Sequence, residues 1–179
     1  MHPARHIRNV ALIGFMGAGK SAVGRLVAEQ LRFQFVDTDE LIETRTGRTI
    51  SQIFTQDGEA HFRALEREVV QQLADTQHLV IATGGGLPTN QTNLDSLKQH
   101  ALVVCLWAGA ERIYERVRHQ KHRPLLQTAD PFARIQELLA ARAPFYRQAD
   151  ILLNTDNRSV RQVAQQVVQH FQSVVQQSQ

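Results

Sequence analysis

The sequence predicts an α/β fold of three layers, in which five parallel strands form a central sheet between two layers of helices. Short apolar segments alternate along the chain with segments whose apolar residues recur at the three-and-four spacing of a helix. The apolar segments are continuous, which is typical of strands buried on both faces of a parallel sheet. At 179 residues the chain has the length of one domain, so we expect residues 1–179 to fold as a single unit.

The predicted strands are separated by predicted helices or by glycine-rich segments. The strands are residues 10–13, 33–36, 79–82, 101–107 and 151–153. The helices are residues 20–31, 38–45, 59–74, 110–118 and 160–175. Thr38 or Asp39 is the expected N-cap of the second helix, and Gly47 is expected to end it.

The composition is unlike that of several classes of protein. The chain has 20 Lys and Arg against 17 Asp and Glu, and its arginines are scattered instead of forming a stripe with interleaved aromatic residues. The single cysteine has no partner for an internal disulfide, and neither a signal pattern nor an apolar run of about 18 residues occurs. We therefore expect a cytoplasmic protein that binds neither nucleic acid nor membrane. We also expect a monomer.

A glycine-rich loop stands between the first predicted strand and the first predicted helix. Residues 14–21 read Gly-Phe-Met-Gly-Ala-Gly-Lys-Ser, a pattern in which backbone N–H groups and a helix N-terminus hold phosphates. Lys20 is expected to reach the β and γ phosphates of ATP, and the Ser21 hydroxyl to bind Mg²⁺. The alternative is a structural turn followed by a surface lysine. The residues expected to contact ATP here are Gly17, Ala18, Gly19, Lys20, Ser21 and Ala22.

Two carboxylates, Asp37 and Asp39, follow the second predicted strand, at the carboxyl end where ligands bind in open parallel sheets. In an extended segment residues two apart point the same way. One carboxylate would then help to hold the magnesium ion, while the other orients a substrate hydroxyl and accepts its proton. Capping of the following helix by one or both of them is an equally open interpretation.

The glycines at 84–86 follow the third predicted strand. They form either a simple turn or a stretch without side chains whose backbone N–H groups approach a substrate closely.

Four arginines are candidates for binding anions, although most helix arginines are solvated or in surface ion pairs. Arg63 precedes Glu66 by three residues, so an ordinary pair on a helix surface is available to it. Arg123 lies in a segment near 118–131 without clear periodicity, which we interpret as a lid that closes over ATP and excludes water. Arg116 and Arg142 have no local feature that decides their role.

Together, and in this order, these motifs resemble the shikimate kinase family from about residue 9 to about residue 170. The motifs that carry the resemblance are residues 14–21, Asp37-Thr38-Asp39, Gly58-Glu59, Phe62-Arg63 with Glu66, residues 84–86, Arg123-Pro124-Leu125-Leu126, and Arg142 with Tyr146. The resemblance implies a P-loop NTPase fold of the nucleoside monophosphate kinase type. It also implies that ATP, with one Mg²⁺, phosphorylates the 3-hydroxyl of shikimate, a step toward chorismate and the aromatic amino acids.

The same resemblance implies roles for individual residues. Shikimate would be bound by Asp39 and Arg63, which lie in a substrate-binding helical region near 38–66, and by Gly85 and Arg142. The two arginines would clamp its carboxylate, and Asp39 would act as the base toward the 3-hydroxyl. The other catalytic residues would be Lys20 and Arg123, at the ATP phosphates. Mg²⁺ would be held by Ser21 and Asp37, and ATP would also contact Arg116, on adenine, and Arg158.

Three other functions are compatible with parts of the sequence. A kinase of the same build that phosphorylates gluconate or a nucleoside monophosphate is the nearest, since fold and ATP site do not fix the acceptor. The combination of Arg63 with Arg142 discriminates against it. A GTP-hydrolysing switch protein would need an Asn-Lys-x-Asp guanine motif, which the sequence lacks. A nucleic acid binder would show salt-dependent affinity for DNA.

Overall fold

The continuous apolar segments form five parallel strands of one sheet in the computed structural model, which describes residues 5–119, 126 and 128–177. The strands are β1 Asn9–Ile13, β2 Gln34–Asp37, β3 Leu79–Ala82, β4 Ala101–Trp107 and β5 Ile151–Asn154. Their order across the sheet is β2-β3-β1-β4-β5. Because β1 is central, the glycine-rich loop that follows it lies between the carboxyl ends of β3 and β4, where open α/β sheets bind ligands.

Seven helices connect and cover these strands in the described part of the chain. They are α1 Lys20–Leu31, α2 Thr38–Thr46, α3 Ile50–Leu73, α4 Gln91–His100, α5 Ala110–Val117, α6 Pro131–Tyr146 and α7 Val160–Gln177, with a short 3₁₀ helix at Leu87–Thr89. The sequence did not predict α4, in which Leu94 and Leu97 are the only apolar residues, whereas the lid segment was expected to separate two helices, and the second of these, for which no bounds were predicted, is α6. Among the described residues no helix is long and apolar enough to span a membrane.

The helices lie on both faces of the sheet, as predicted. Along β1, Val10 and Leu12 face one side and pack with α1 and α7, whereas Ala11 and Ile13 face the other and pack with α3, α4, α5 and α6. All four β1 side chains are fully buried. Two apolar cores, one on each face, therefore hold β1 and the loop after it in place.

The start of α2 differs from the prediction. Its N-cap is Asp37, not Thr38 or Asp39, and Asp37 Oδ1 accepts hydrogen bonds from the backbone N–H groups of Asp39 (3.0 Å) and Glu40 (3.4 Å). The reason is that β2 extends one residue further than predicted and ends at Asp37. Gly47 ends α2 with a positive φ of 64°, which confirms its predicted role.

The third helix begins earlier than residue 59, where the sequence analysis placed its start. Thr49 caps it with a capping box to Gln52, and the helical path is broken at Gly58, whose φ of 82° and ψ of 171° are not helical. The predicted helix at 59–74 corresponds to the arm that follows this break. The arm that precedes the break packs against α2.

Candidate active site

A cleft of about 810 Å³ opens at the carboxyl ends of the central strands. It brings together ten residues that the sequence analysis singled out: Gly17, Gly19, Lys20, Ser21, Ala22, Asp37, Asp39, Arg63, Gly85 and Arg142. A smaller adjoining pocket of about 250 Å³ is lined by Gly17, Ala18, Gly19, Arg116 and Arg158, among others. Arg123 and most of the predicted lid, at 120–125 and 127, lie outside the described residues.

The loop after β1 has a backbone that glycine makes possible. Gly14, Gly17 and Gly19 have φ values of 139°, 76° and 96°, which side chains rarely allow. A Cβ on Gly14 would also collide with the backbone carbonyl of Leu106. Gly19 is the N-cap of α1 and has no side chain to cap the first turn. Gly19 therefore leaves the N–H groups in the first turn of α1 without a side-chain cap, so that they can donate to a phosphate.

Lys20 is held against this loop. Its Nζ donates hydrogen bonds to the carbonyl oxygens of Gly14 (2.9 Å) and Phe15 (3.0 Å), and only 9% of the residue is exposed. The loop therefore carries a positive charge beside N–H groups that also favour an anion.

Ser21 and Asp37 form a pair of oxygen ligands next to the loop. The Ser21 hydroxyl donates to Asp37 Oδ2 at 2.8 Å, while Oδ1 of the same carboxylate caps α2. Both interpretations of Asp37, helix cap and partner of the phosphate loop, are therefore compatible with its position. A hydroxyl and a carboxylate, completed by phosphate and water, are ligands that suit Mg²⁺, so the residues present fit this ion.

Asp39 reaches the cleft by a different route from the one predicted. It does not share an extended segment with Asp37, since it belongs to the first turn of α2. Both carboxylates nevertheless line the same cleft. Asp37 is the last residue of β2, and Asp39 follows it in the first turn of α2. Asp39 lies against Gly84, where a Cβ would come within 2.6 Å of Asp39 Oδ1. The glycine at 84 thus makes room for the carboxylate.

Arg63 is held by two glutamates of its own helix. Its Nη1 donates to Glu66 Oε2 at 2.7 Å, and its Nη2 donates to Glu59 Oε1 at 2.9 Å. The side chain of Glu66 is only 1% exposed, so this is a buried ion pair and not the surface pair that the sequence left open. A Cβ on Gly86 would lie 2.7 Å from Arg63 Nη1. The glycine at 86 therefore allows the guanidinium to approach the segment after β3.

Glu66 is a site residue to which the sequence analysis gave no role of its own. Burial raises the pKa of its carboxyl to about 7, against the opposing effect of Arg63, and the charges of Asp39 and Arg142 also act on it. Its Oε1 is buried and has no hydrogen-bond partner among the described residues. Its spacing from Phe62 and Val70, both buried on α3, was the signal that could have placed it on the inner face of the helix.

Arg142 is the second cation, after Arg63, on the side of the cleft that also contains Asp39 and Gly85, which we call the acceptor side. It projects from α6, is 7% exposed, and its guanidinium carbon lies 5.3 Å from the centre of the Phe15 ring. Its Nη1 faces Gly85, where a Cβ would lie 3.3 Å away. A cation buried to this extent needs an anionic or hydrogen-bonding partner.

The smaller pocket lies beside the phosphate loop. Arg116 Nη1 donates to the carbonyl of Gly17 at 3.0 Å, and Nη2 donates to the carbonyl of Thr155 at 3.3 Å. Arg116 therefore joins the loop to the segment after β5. Arg158, which also lines this pocket, donates to Gln166 Oε1 at 2.7 Å.

Known proteins resemble this chain over nearly its whole length. The family model for shikimate kinase matches residues 16–172. Shikimate kinase of Thermodesulfovibrio yellowstonii is 42% identical over 166 residues, which are 93% of this chain and 96% of the relative. Shikimate kinase of Symbiobacterium thermophilum is 45% identical over 167 residues, 92% of this chain and 96% of the relative.

Solved structures agree with these relatives. Shikimate kinase of Acinetobacter baumannii in complex with shikimate is 41% identical, with a TM-score of 0.89 over 93% of this chain and 94% of that one. A gluconokinase of Sinorhizobium meliloti has a TM-score of 0.60 over 97% of both chains but only 15% identity, and so shares the fold alone. The family match, the relatives and the arrangement of the cleft agree, and the chain belongs to the shikimate kinase family.

Proposed function

We propose that the protein is a shikimate kinase that transfers the γ-phosphoryl group of ATP to the 3-hydroxyl of shikimate, with one Mg²⁺. The observation that carries the proposal is that Arg63, Arg142 and Asp39 line the same cleft as the phosphate loop. Membership of the family and a relative that binds shikimate support this choice of acceptor.

The charges of the acceptor side suit a substrate with one carboxylate and several hydroxyls. Arg63 and Arg142 are both largely buried, and a guanidinium binds a carboxylate best through two parallel hydrogen bonds. The carboxylate of shikimate would compensate the two cations. Asp39 and Gly85 would then receive the ring hydroxyls, Asp39 as an acceptor and Gly85 through its backbone.

Phosphoryl transfer needs positioning and charge stabilisation more than covalent chemistry by the protein. In the proposed reaction Asp39 accepts the proton of the 3-hydroxyl as its oxygen attacks the γ-phosphorus and ADP departs. Lys20 stabilises the charge on the phosphate oxygens. Arg123, on the predicted lid at 118–131, would contribute a second cation and exclude water.

Ser21 and Asp37 would hold Mg²⁺. When bound, the ion would neutralise charge on the phosphate oxygens of ATP. The adenine of ATP would lie near Arg116 and Arg158 in the smaller pocket. We interpret the chain as one kinase domain with a substrate-binding helical region near 38–66, acting as a cytoplasmic monomer.

An ADP-release assay with different acceptors tests the proposed function. With ATP and Mg²⁺, shikimate should support turnover with a kcat/KM at least about 100-fold above that of gluconate or nucleoside monophosphates, because the open chain of gluconate does not hold its carboxylate and hydroxyls in the geometry of the ring, and nucleoside monophosphates have no carboxylate. Absence of shikimate-dependent ADP release, or equal rates with gluconate, would contradict it.

Asp39→Asn should lower kcat by about 100-fold or more, because the amide cannot accept the proton. The KM for ATP should change less than about twofold, since Asp39 does not contact the nucleotide in this account. Steady-state kinetics with each substrate varied in turn measures both. Asp95→Asn, the same change on α4, is the matched control and should behave as wild type. An unchanged kcat in Asp39→Asn would remove Asp39 as the base.

Shikimate binding should take up protons near pH 7. A carboxylate bound by Arg63 and Arg142 raises the pKa of Glu66 further above its value of about 7. The complex therefore holds more protons than the free protein, and affinity should fall as the pH rises through 7. Titration calorimetry in two buffers of different ionisation enthalpy measures the uptake.

Glu66→Gln should abolish this uptake, because the amide does not titrate. Glu59→Gln, which changes the exposed partner of Arg63, should retain it. Equal binding enthalpies of the wild-type protein in both buffers would show that Glu66 does not change its protonation.

A further inference from the structure

Tyr146 places a hydroxyl group between two elements of the acceptor side of the cleft. It is fully buried at the end of α6, four residues after Arg142 and hence on the same face of the helix. Its hydroxyl donates to the carbonyl oxygen of Gly85 at 2.7 Å. Its ring packs in the apolar core on this face of the sheet.

The same hydroxyl also interacts with Arg142. The positive charge of Arg142 acts on the phenol and opposes, in part, the effect of burial on the pKa of its hydroxyl. Burial raises the pKa of Tyr146 to about 12, so the phenol stays protonated near neutral pH and keeps its proton for Gly85.

The bond to Gly85 orients more than one atom. The Gly85 carbonyl belongs to the planar peptide that links it to Gly86, so fixing the oxygen fixes the whole peptide plane, including the N–H of Gly86 on the opposite side. Gly85 faces the guanidinium of Arg142, and Gly86 faces that of Arg63. One phenol thus sets the backbone against which both arginines lie.

We infer that Tyr146 is a positioning residue for the acceptor: its hydroxyl holds the Gly85 peptide, against which the Arg142 guanidinium lies, in the arrangement that receives the acceptor carboxylate. This inference rests on the proposed function. A purely structural role would use the ring alone, since phenylalanine has the same ring and fills the same space in the core. The positioning role and the purely structural role therefore predict different effects on substrate binding when the hydroxyl oxygen is removed.

The variant Tyr146→Phe distinguishes the positioning role from the purely structural role. The KM for shikimate should rise about tenfold, because the Gly85 carbonyl loses its hydrogen-bond donor and the peptide beside Arg142 is no longer fixed, while kcat falls less than about threefold and the KM for ATP changes less than about twofold. Tyr114→Phe is the matched control, because Tyr114 is the other tyrosine of the chain and lies on α5, outside the cleft. It should leave all three constants as in wild type.

A shikimate analogue with a hydroxymethyl group in place of the carboxylate sharpens the test. If Tyr146 acts through Arg142, the dissociation constant of this analogue should be less than about threefold higher for Tyr146→Phe than for wild type, since the analogue makes no ion pair with the guanidinium. A shikimate KM within twofold of wild type would overturn the inference. So would an equal loss for the analogue and for ATP, which would indicate a structural role.

Fluorine labelling of the tyrosines tests the inference in the wild-type protein if Tyr146→Phe does not fold. With 3-fluorotyrosine the protein has two fluorine signals, and Tyr114→Phe identifies the one from Tyr146. Added shikimate should shift the Tyr146 signal and leave that of Tyr114 in place, and no shift would overturn the inference. If wild type does not turn over shikimate at all, the proposed function itself fails. If wild type is active and Tyr146→Phe is unchanged, only the role of Tyr146 fails.

Discussion

The carboxylate of Asp37 joins the two halves of the cleft. One oxygen accepts from Ser21, at the start of the helix that follows the phosphate loop, and the other caps the helix that carries Asp39. The donor side and the acceptor side are therefore connected through a single side chain at the end of β2. Because both contacts are short and directional, the Asp37 carboxylate fixes the backbone of Asp39 relative to the loop.

The second constraint is charge. Arg142 and Glu66 are buried on the acceptor side and Arg63 is partly buried, at a cost that the fold must offset. Glu66 meets part of this cost as the ion-pair partner of Arg63, yet its own pKa of about 7 shows how strongly burial opposes its ionisation. An incoming carboxylate would pair with cations that the protein has already desolvated. The arrangement thus favours an anionic acceptor, in agreement with the family to which the chain belongs.

Much of the fold could be predicted because its signals are local. The buried strands are continuous apolar segments, and the loop at 14–21 has fixed spacing, so both were recognised. The helix α4 was missed because two leucines among polar residues give a weak periodic signal. The cap of α2 was misplaced by one residue because the end of a strand depends on its neighbour: Asp37 pairs with Ala82 in the sheet.

The contacts that assemble the site were harder to predict, since they join residues distant in sequence. The three glycines at 84–86 could be either a turn or a substrate contact, and the fold explains each of them by a neighbour: Asp39, Arg142 and Arg63 in turn. Glu66 carried a usable signal in its helical spacing, whereas the bond from Tyr146 to Gly85 spans 61 positions and had none.

The most direct test of this account is a crystal structure with shikimate, Mg²⁺ and a non-hydrolysable ATP analogue bound. We predict the shikimate carboxylate between Arg63 and Arg142, and the 3-hydroxyl within hydrogen-bond distance of Asp39 and facing the γ-phosphate. A carboxylate bound away from both arginines, or a 3-hydroxyl that does not contact Asp39, would contradict it.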